Sequence, residues 1–152
     1  MKLSVFYGLK AAEFNFLLAK IRQRLQSRDL LGFTLEDCSF EAKDTGTIDG
    51  ELLLCLCQKA YQVTINRCRF QDQLPVIQQF VVSLAQTTAS LSELSLQAPS
   101  LFSVEMQNQL FDAIFSNGQM LALTKLYFFE MESLPENPDL VRSLAEYLQH
   151  MN

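Results

Sequence analysis

One pattern limits the folds open to this chain more than any other feature: an apolar-x-apolar-x-x-Cys motif, or a close variant, returns about every thirty residues. Phe33-x-Leu35-x-x-Cys38-x-Phe40 is followed by Val63-x-Ile65-x-x-Cys68-x-Phe70, then Leu94-x-Leu96-x-x-Pro99-x-Leu101, then Leu126-x-Phe128-x-x-Met131. A weaker copy, Leu3-x-Val5-x-x-Gly8, opens the chain. The starts fall at 3, 33, 63, 94 and 126, so the steps run from 30 to 32 residues. A unit of that size cannot bury its own apolar face; neighbouring copies bury it by stacking, and a fixed period in this range is the signature of a solenoid.

Each unit joins two periodicities. Gly32-Phe33-Thr34-Leu35-Glu36 and Gln62-Val63-Thr64-Ile65-Asn66 alternate in polarity, which predicts strands. Runs with helical spacing follow: Phe14, Leu18, Ile21 and Leu25; Ile48, Leu52, Cys55 and Leu56; Leu74, Ile77, Val81 and Leu84; Met106, Leu110, Ala113 and Ile114; Leu140, Leu144, Tyr147 and Leu148. Local chemistry supports the helix ends. Pro75 suits a first turn, Ser103 with Glu105 suits a helix start, Asn117-Gly118 suits a stop, and Asn137-Pro138 opens a terminal capping helix over about 138–151.

Five strands that each return through a helix must lie parallel. The expected fold is α/β: a right-handed β-α solenoid of about five repeats in a single domain spanning 1–152. One core ladder would hold Leu3, Phe33, Val63, Leu94 and Leu126, and the next Val5, Leu35, Ile65, Leu96 and Phe128. Parallel strands pack about 4.8 Å apart and helices about 8–10 Å apart, so the stack should curve with strands on its concave wall.

Composition narrows the function. With 12 Lys and Arg against 17 Asp and Glu, the net charge is -5, which argues against nucleic acid as a partner. Arg22, Arg24 and Arg28 cluster at helical spacing and read as the solvated face of one helix, an acidic partner being the lesser alternative. No apolar run reaches the length that crosses a bilayer, and no secretion signal of the usual kind opens the chain, so no membrane partner is expected. Cys38, Cys55, Cys57 and Cys68 all lie within apolar patterns, which predicts free buried thiols in a reducing, cytoplasmic compartment.

At these residues the chain resembles the leucine-rich-repeat family, in its ribonuclease-inhibitor-like class with a full helix per repeat. Leu30-x-x-Phe33-x-Leu35-x-x-Cys38-x-Phe40 meets the family pattern LxxLxLxx(N/C)xL, and the third unit meets it with Ala60 at its head. Leu91-x-x-Leu94-x-Leu96 and Leu123-x-x-Leu126-x-Phe128 match its front half, while Gly8, Pro99 and Met131 depart from it where Asn or Cys is usual. The resemblance implies a noncatalytic scaffold that binds a partner protein along its concave wall, and cysteines that act as packing residues. It also admits a second reading: a substrate-recruiting or targeting part of a larger protein, such as a ubiquitin ligase or a secreted bacterial effector delivered into a host cell.

Candidate catalytic groups are few. His150, the only histidine, lies among the last three residues, and Cys55-x-Cys57 on a helix would point two ways. No phosphate-binding glycine loop occurs, and neither cofactor nor metal is expected. The candidate contact residues are those alternating away from the core: Phe6 and Tyr7; Thr34, Glu36 and Asp37; Gln62, Thr64, Asn66 and Arg67; Glu93, Ser95 and Gln97; Lys125, Tyr127, Phe129 and Glu130. Aromatics at both ends serve either as interface anchors or as covers for the terminal repeats. The first strand would leave an unpaired edge through which copies could associate.

Overall fold

The computed structural model describes residues 2–4, 7–26, 28–42, 46–88, 90–97, 103–116, 125–128, 142 and 145. Strands and helices alternate through β1 (Lys2–Ser4), β2 (Tyr7–Leu9), α1 (Ala11–Leu25), β3 (Gly32–Glu36), β4 (Ser39–Phe40), α2 (Gly50–Cys57) and β5 (Gln62–Asn66). A 3-10 turn at Gln71–Gln73 then runs into α3 (Leu74–Thr87), followed by β6 (Glu93–Gln97), α4 (Val104–Ser116) and β7 (Lys125–Phe128). The fold is mixed α/β with open parallel sheets. One sheet has five strands in the order β1-β3-β5-β6-β7, and β2 and β4 form a second of two strands.

In the middle of the large sheet the register follows the sequence pattern. Phe33, Val63, Leu94 and Leu126 face one another in one row, and Leu35, Ile65, Leu96 and Phe128 in the next. The first unit departs from expectation: Leu3 pairs with Leu35, not with Phe33, so this unit begins two residues earlier than the motif suggests. A shift of two keeps every side chain on its face of the pleat, so polarity alone could not reveal it. Gly8 likewise does not stand where Cys38 stands. Tyr7 pairs with Ser39 and Leu9 with Phe40, leaving Gly8 as an extra residue at φ +66°. Glycine takes that left-handed conformation without strain, and a Cβ here would also crowd Glu41 Oε1 at 3.3 Å.

The core lies between one face of the sheet and the helices. Phe33, Leu35, Val63, Ile65, Leu94 and Leu96 are buried against Phe14 and Leu18 of α1, Leu53 and Leu56 of α2, Ile77, Val81 and Leu84 of α3, and Leu110 and Ile114 of α4. The residues after the cysteines add a column of rings. Phe14 meets Phe40 edge-on at 5.5 Å, and Phe40 stacks on Phe70 at 5.6 Å. Ile21 and Leu25 are only partly buried.

The expected face of α2 is corrected by one residue. Leu53, Leu56 and Cys57 are buried, Leu52 is half-buried, and Cys55 is exposed. The cause is the N-cap: the Asp49 carboxylate accepts from the Leu52 N–H at 2.9 Å, which starts the helix after Ile48 and removes that buried residue from the helical period. Two amide side chains hold the loop ahead of this cap. Gln73, 2% exposed, accepts from the Ile48 N–H at 2.8 Å and donates to the Gly46 carbonyl at 2.9 Å. Asn15 donates to the Thr47 carbonyl at 2.8 Å and accepts from the Asp49 N–H at 2.7 Å. Backbone groups that no helix or sheet serves thus find partners on α1 and beside α3.

Pro75 lies in the first turn of α3, and the Ser103 hydroxyl accepts from the Met106 N–H at 3.2 Å where α4 starts. Asn117-Gly118 and Asn137-Pro138 lie outside the described residues. So does the helix expected over 138–151, apart from Arg142 and Ala145, which are helical and exposed. Among the described residues no helix is long and apolar enough to cross a membrane.

Candidate binding surface

The face of the large sheet turned away from the core carries three polar rows. Across neighbouring strands run Gly32, Gln62, Glu93 and Lys125; then Thr34, Thr64, Ser95 and Tyr127; then Glu36, Asn66 and Gln97. Every residue type in the middle row bears a hydroxyl. Thr34, Glu36, Gln62, Thr64, Asn66, Glu93 and Gln97 are half-buried, as expected of side chains that stand in rows about 4.8 Å apart and shade one another. Ser95 is a correction: it lies on this face but is buried at 6% exposure, so it is not displayed as the alternation implied. Gln97 Nε2 donates to its Oγ at 3.4 Å, and Gln62 Nε2 donates to Glu93 Oε1 at 3.3 Å.

At the C-terminal ends of β3 and β5 the chain turns sharply. Asp37 and Arg67 have φ of 54° and 50°, the left-handed region. Their N–H groups extend the ladder by one rung, to Asn66 O at 3.0 Å and Gln97 O at 2.8 Å. The turn also brings the Asp37 carboxylate beside that of Glu36. The Arg67 guanidinium reaches both: Nε to Asp37 Oδ1 at 2.6 Å, Nη2 to Asp37 Oδ2 at 2.8 Å, and Nη2 to Glu36 Oε1 at 3.3 Å. This is a bidentate fork with a third contact, and it runs between two adjacent units. Hydrogen bonding to Asp37, the Asp37 charge and then Glu36 push the Arg67 pKa still higher, so the group stays charged. Its side chain is 59% exposed.

Behind these turns lie Cys38 and Cys68, both buried and neither in a disulfide. The Cys38 thiol donates to Glu36 O at 3.5 Å and the Cys68 thiol to Asn66 O at 3.2 Å, so each closes the turn it belongs to. Hydrogen bonding with Cys38, then burial, pushes the Cys68 thiol well up; burial pushes Cys57 to about 12. Such thiols are neutral at physiological pH, poor nucleophiles and poor metal ligands. Among the described residues no group of three His, Cys, Asp or Glu side chains is placed to hold a metal ion.

The N-terminal rim of the sheet holds a feature that the alternation missed. Leu31 is 59% exposed and Tyr61 49%, and the Tyr61 N–H donates to Leu31 O at 2.8 Å. Period two, run back from Phe33 and Val63, would turn both toward the core. Leu30 and Ala60 occupy that space instead. The signal available in the sequence was the adjacent pair Leu30-Leu31, since one strand entry cannot send two consecutive side chains inward.

Of the remaining candidates, Tyr7 is corrected. It is 79% exposed but belongs to β2 in the small sheet, not to the wall. Lys125 and Tyr127 are placed by backbone register alone. Phe6, Phe129 and Glu130 lie outside the described residues. The structure therefore brings Glu36, Asp37 and Arg67 together, and Gln62 with Glu93, while separating Tyr7 from both groups. Compared with known proteins, the chain matches no family model, no curated protein and no solved structure.

Proposed function

We propose that this chain is a leucine-rich-repeat solenoid of about five β-α units, of the ribonuclease-inhibitor-like class, that acts as a noncatalytic protein-binding module. Its contact surface is the polar wall of the five-stranded sheet, concave because strands pack more closely than helices. The observation that carries the reading is the Arg67 fork on Asp37 and Glu36. It holds a charged donor and two carboxylates in one geometry at an exposed position, so binding would cost little side-chain entropy there. Leu31 and Tyr61 add apolar anchors at the opposite end of the same strands.

The test uses the partner recovered by affinity capture with the wild-type chain. Changing Glu36, Arg67 and Tyr127 together to alanine should abolish capture of that partner and leave the thermal melt unchanged. Capture at wild-type level by the triple variant would remove the wall as the site.

A further inference from the structure

The outer side of the helix layer holds a groove that packing within the chain leaves unfilled. α2 and α3 come close at Gly50, where a Cβ would meet Val76 Cγ1 at 3.0 Å. At that contact the two helices border a groove of about 540 Å³, whose apolar lining is Leu54, Pro75, Val76 and Phe80. Glu51 also lines it, is exposed, and has no ion-pair partner among the described residues. A surface helix ordinarily turns charged side chains outward, yet none of the 14 residues of α3 is charged. α2, α3 and α4 together hold no Lys or Arg, and their charged residues, Glu51, Glu105 and Asp112, are all acidic. The groove is therefore apolar inside and negative at its rim.

The matching chemistry stands on α1 of the same layer. Phe16, 65% exposed, is two residues, or about 200°, from both Phe14 and Leu18 of the buried stripe, so it points straight out from the layer. The Lys20 ammonium lies 5.3 Å from the centre of its ring. A single exposed ring is ordinary on a protein surface. Its counterpart is not: Glu51 and Leu54 are neighbours at i and i+3, about 5–6 Å apart, so the groove sets a carboxylate beside an apolar wall at the spacing that separates the ammonium from the ring. Ring and groove both open on the outward side of the layer, with α2 between them. Two copies laid helix layer to helix layer can therefore make the contact twice, which is the self-complementary condition for a closed two-fold pair.

We infer that the groove between α2 and α3 receives Phe16 of a second copy of this chain, with Lys20 of that copy on Glu51, in a reciprocal two-fold dimer that leaves the sheet wall open. Two such contacts are a small interface, so the dissociation constant should lie between micromolar and millimolar. Sedimentation velocity on the whole chain across that range should show a reversible monomer and dimer. Lys20→Glu sets two carboxylates together and Glu51→Lys two ammonium groups, so each should weaken the dimer about tenfold or more, as should Phe16→Ser. An equimolar mixture of the Lys20→Glu and Glu51→Lys chains should dimerise about as tightly as wild type, because both contacts across the mixed pair are again between opposite charges. Far-UV circular dichroism of each dilute variant should match wild type, since all three side chains are exposed. A wild-type chain that stays monomeric, single variants that associate undiminished, or a mixture no tighter than its components would each overturn the inference.

Discussion

Two polar assemblies in this protein make nearly the same number of hydrogen bonds and have opposite meanings. Gln73 uses both ends of its amide to hold the Gly46–Ile48 loop, and it does so at 2% exposure. Arg67 makes three charged contacts with Asp37 and Glu36, but its side chain is 59% exposed. A buried group that loses its partner has no water to turn to, whereas an exposed ion pair exchanges one set of partners for another. The first assembly should therefore matter to stability and the second to recognition.

The comparison is broken most directly at Gln73. Gln73→Ala leaves the buried Ile48 N–H without an acceptor and the Gly46 carbonyl without its donor, and should cost about 3 kcal/mol in denaturant unfolding. A change below about 1 kcal/mol would show that water replaces the amide and that the site is less enclosed than its burial implies.

The thiols of α2 give the same contrast within a single helix. Cys57 is buried with its pKa pushed to about 12, while Cys55 is exposed. Between the ordinary thiol value of 9.0 and about 12 the unfolded chain loses this proton and the folded chain keeps it. The folded state then binds more protons, so stability falls as pH rises through that window, by up to about 1.4 kcal/mol per unit. Below 9 the group contributes no slope. Unfolding followed from pH 8 to 10 should show the loss; Cys57→Ala should reduce it, and the buried Cys68 thiol, also pushed up, should keep the remainder. At neutral pH a maleimide should label Cys55 well before the other three cysteines.

Smaller effects sharpen the boundary between the two classes. Asn15→Ala removes two bonds to the same loop from a less enclosed position, and should cost about 1 kcal/mol. Arg67→Ala should leave the melting temperature where it was, despite the length of its contact list. A clear drop in the Arg67→Ala melt would mean that the fork holds neighbouring units together.

The same division explains what could be read in advance. The rows from Phe33 to Leu126 and from Leu35 to Phe128 followed from period two, because burial on one face leaves a strand no freedom to slip by one residue. The first unit slipped by two, which polarity tolerates, and the positive φ of Gly8 absorbed the mismatch with β4. The phase of α2 departs from the helical spacing of the sequence because Ile48 is buried without being helical, a consequence of where Asp49 caps the helix. Glu36, Asp37 and Arg67 were singled out individually. Their union depended on two left-handed residues that strand alternation does not foresee.

By itself the sequence determined the strand-and-helix alternation, the parallel pairing of the central strands and the division of their side chains into inner and outer faces. All of these rest on periodicities that survive without knowledge of neighbours. Only the tertiary structure decided which outer residues meet. It paired Arg67 with Asp37, sank Ser95, lifted Leu31 and Tyr61 into solvent and left Phe16 uncovered. Contact between residues thirty positions apart is set by register and turn geometry to within a few ångströms, a precision that a repeating pattern of polarity does not encode.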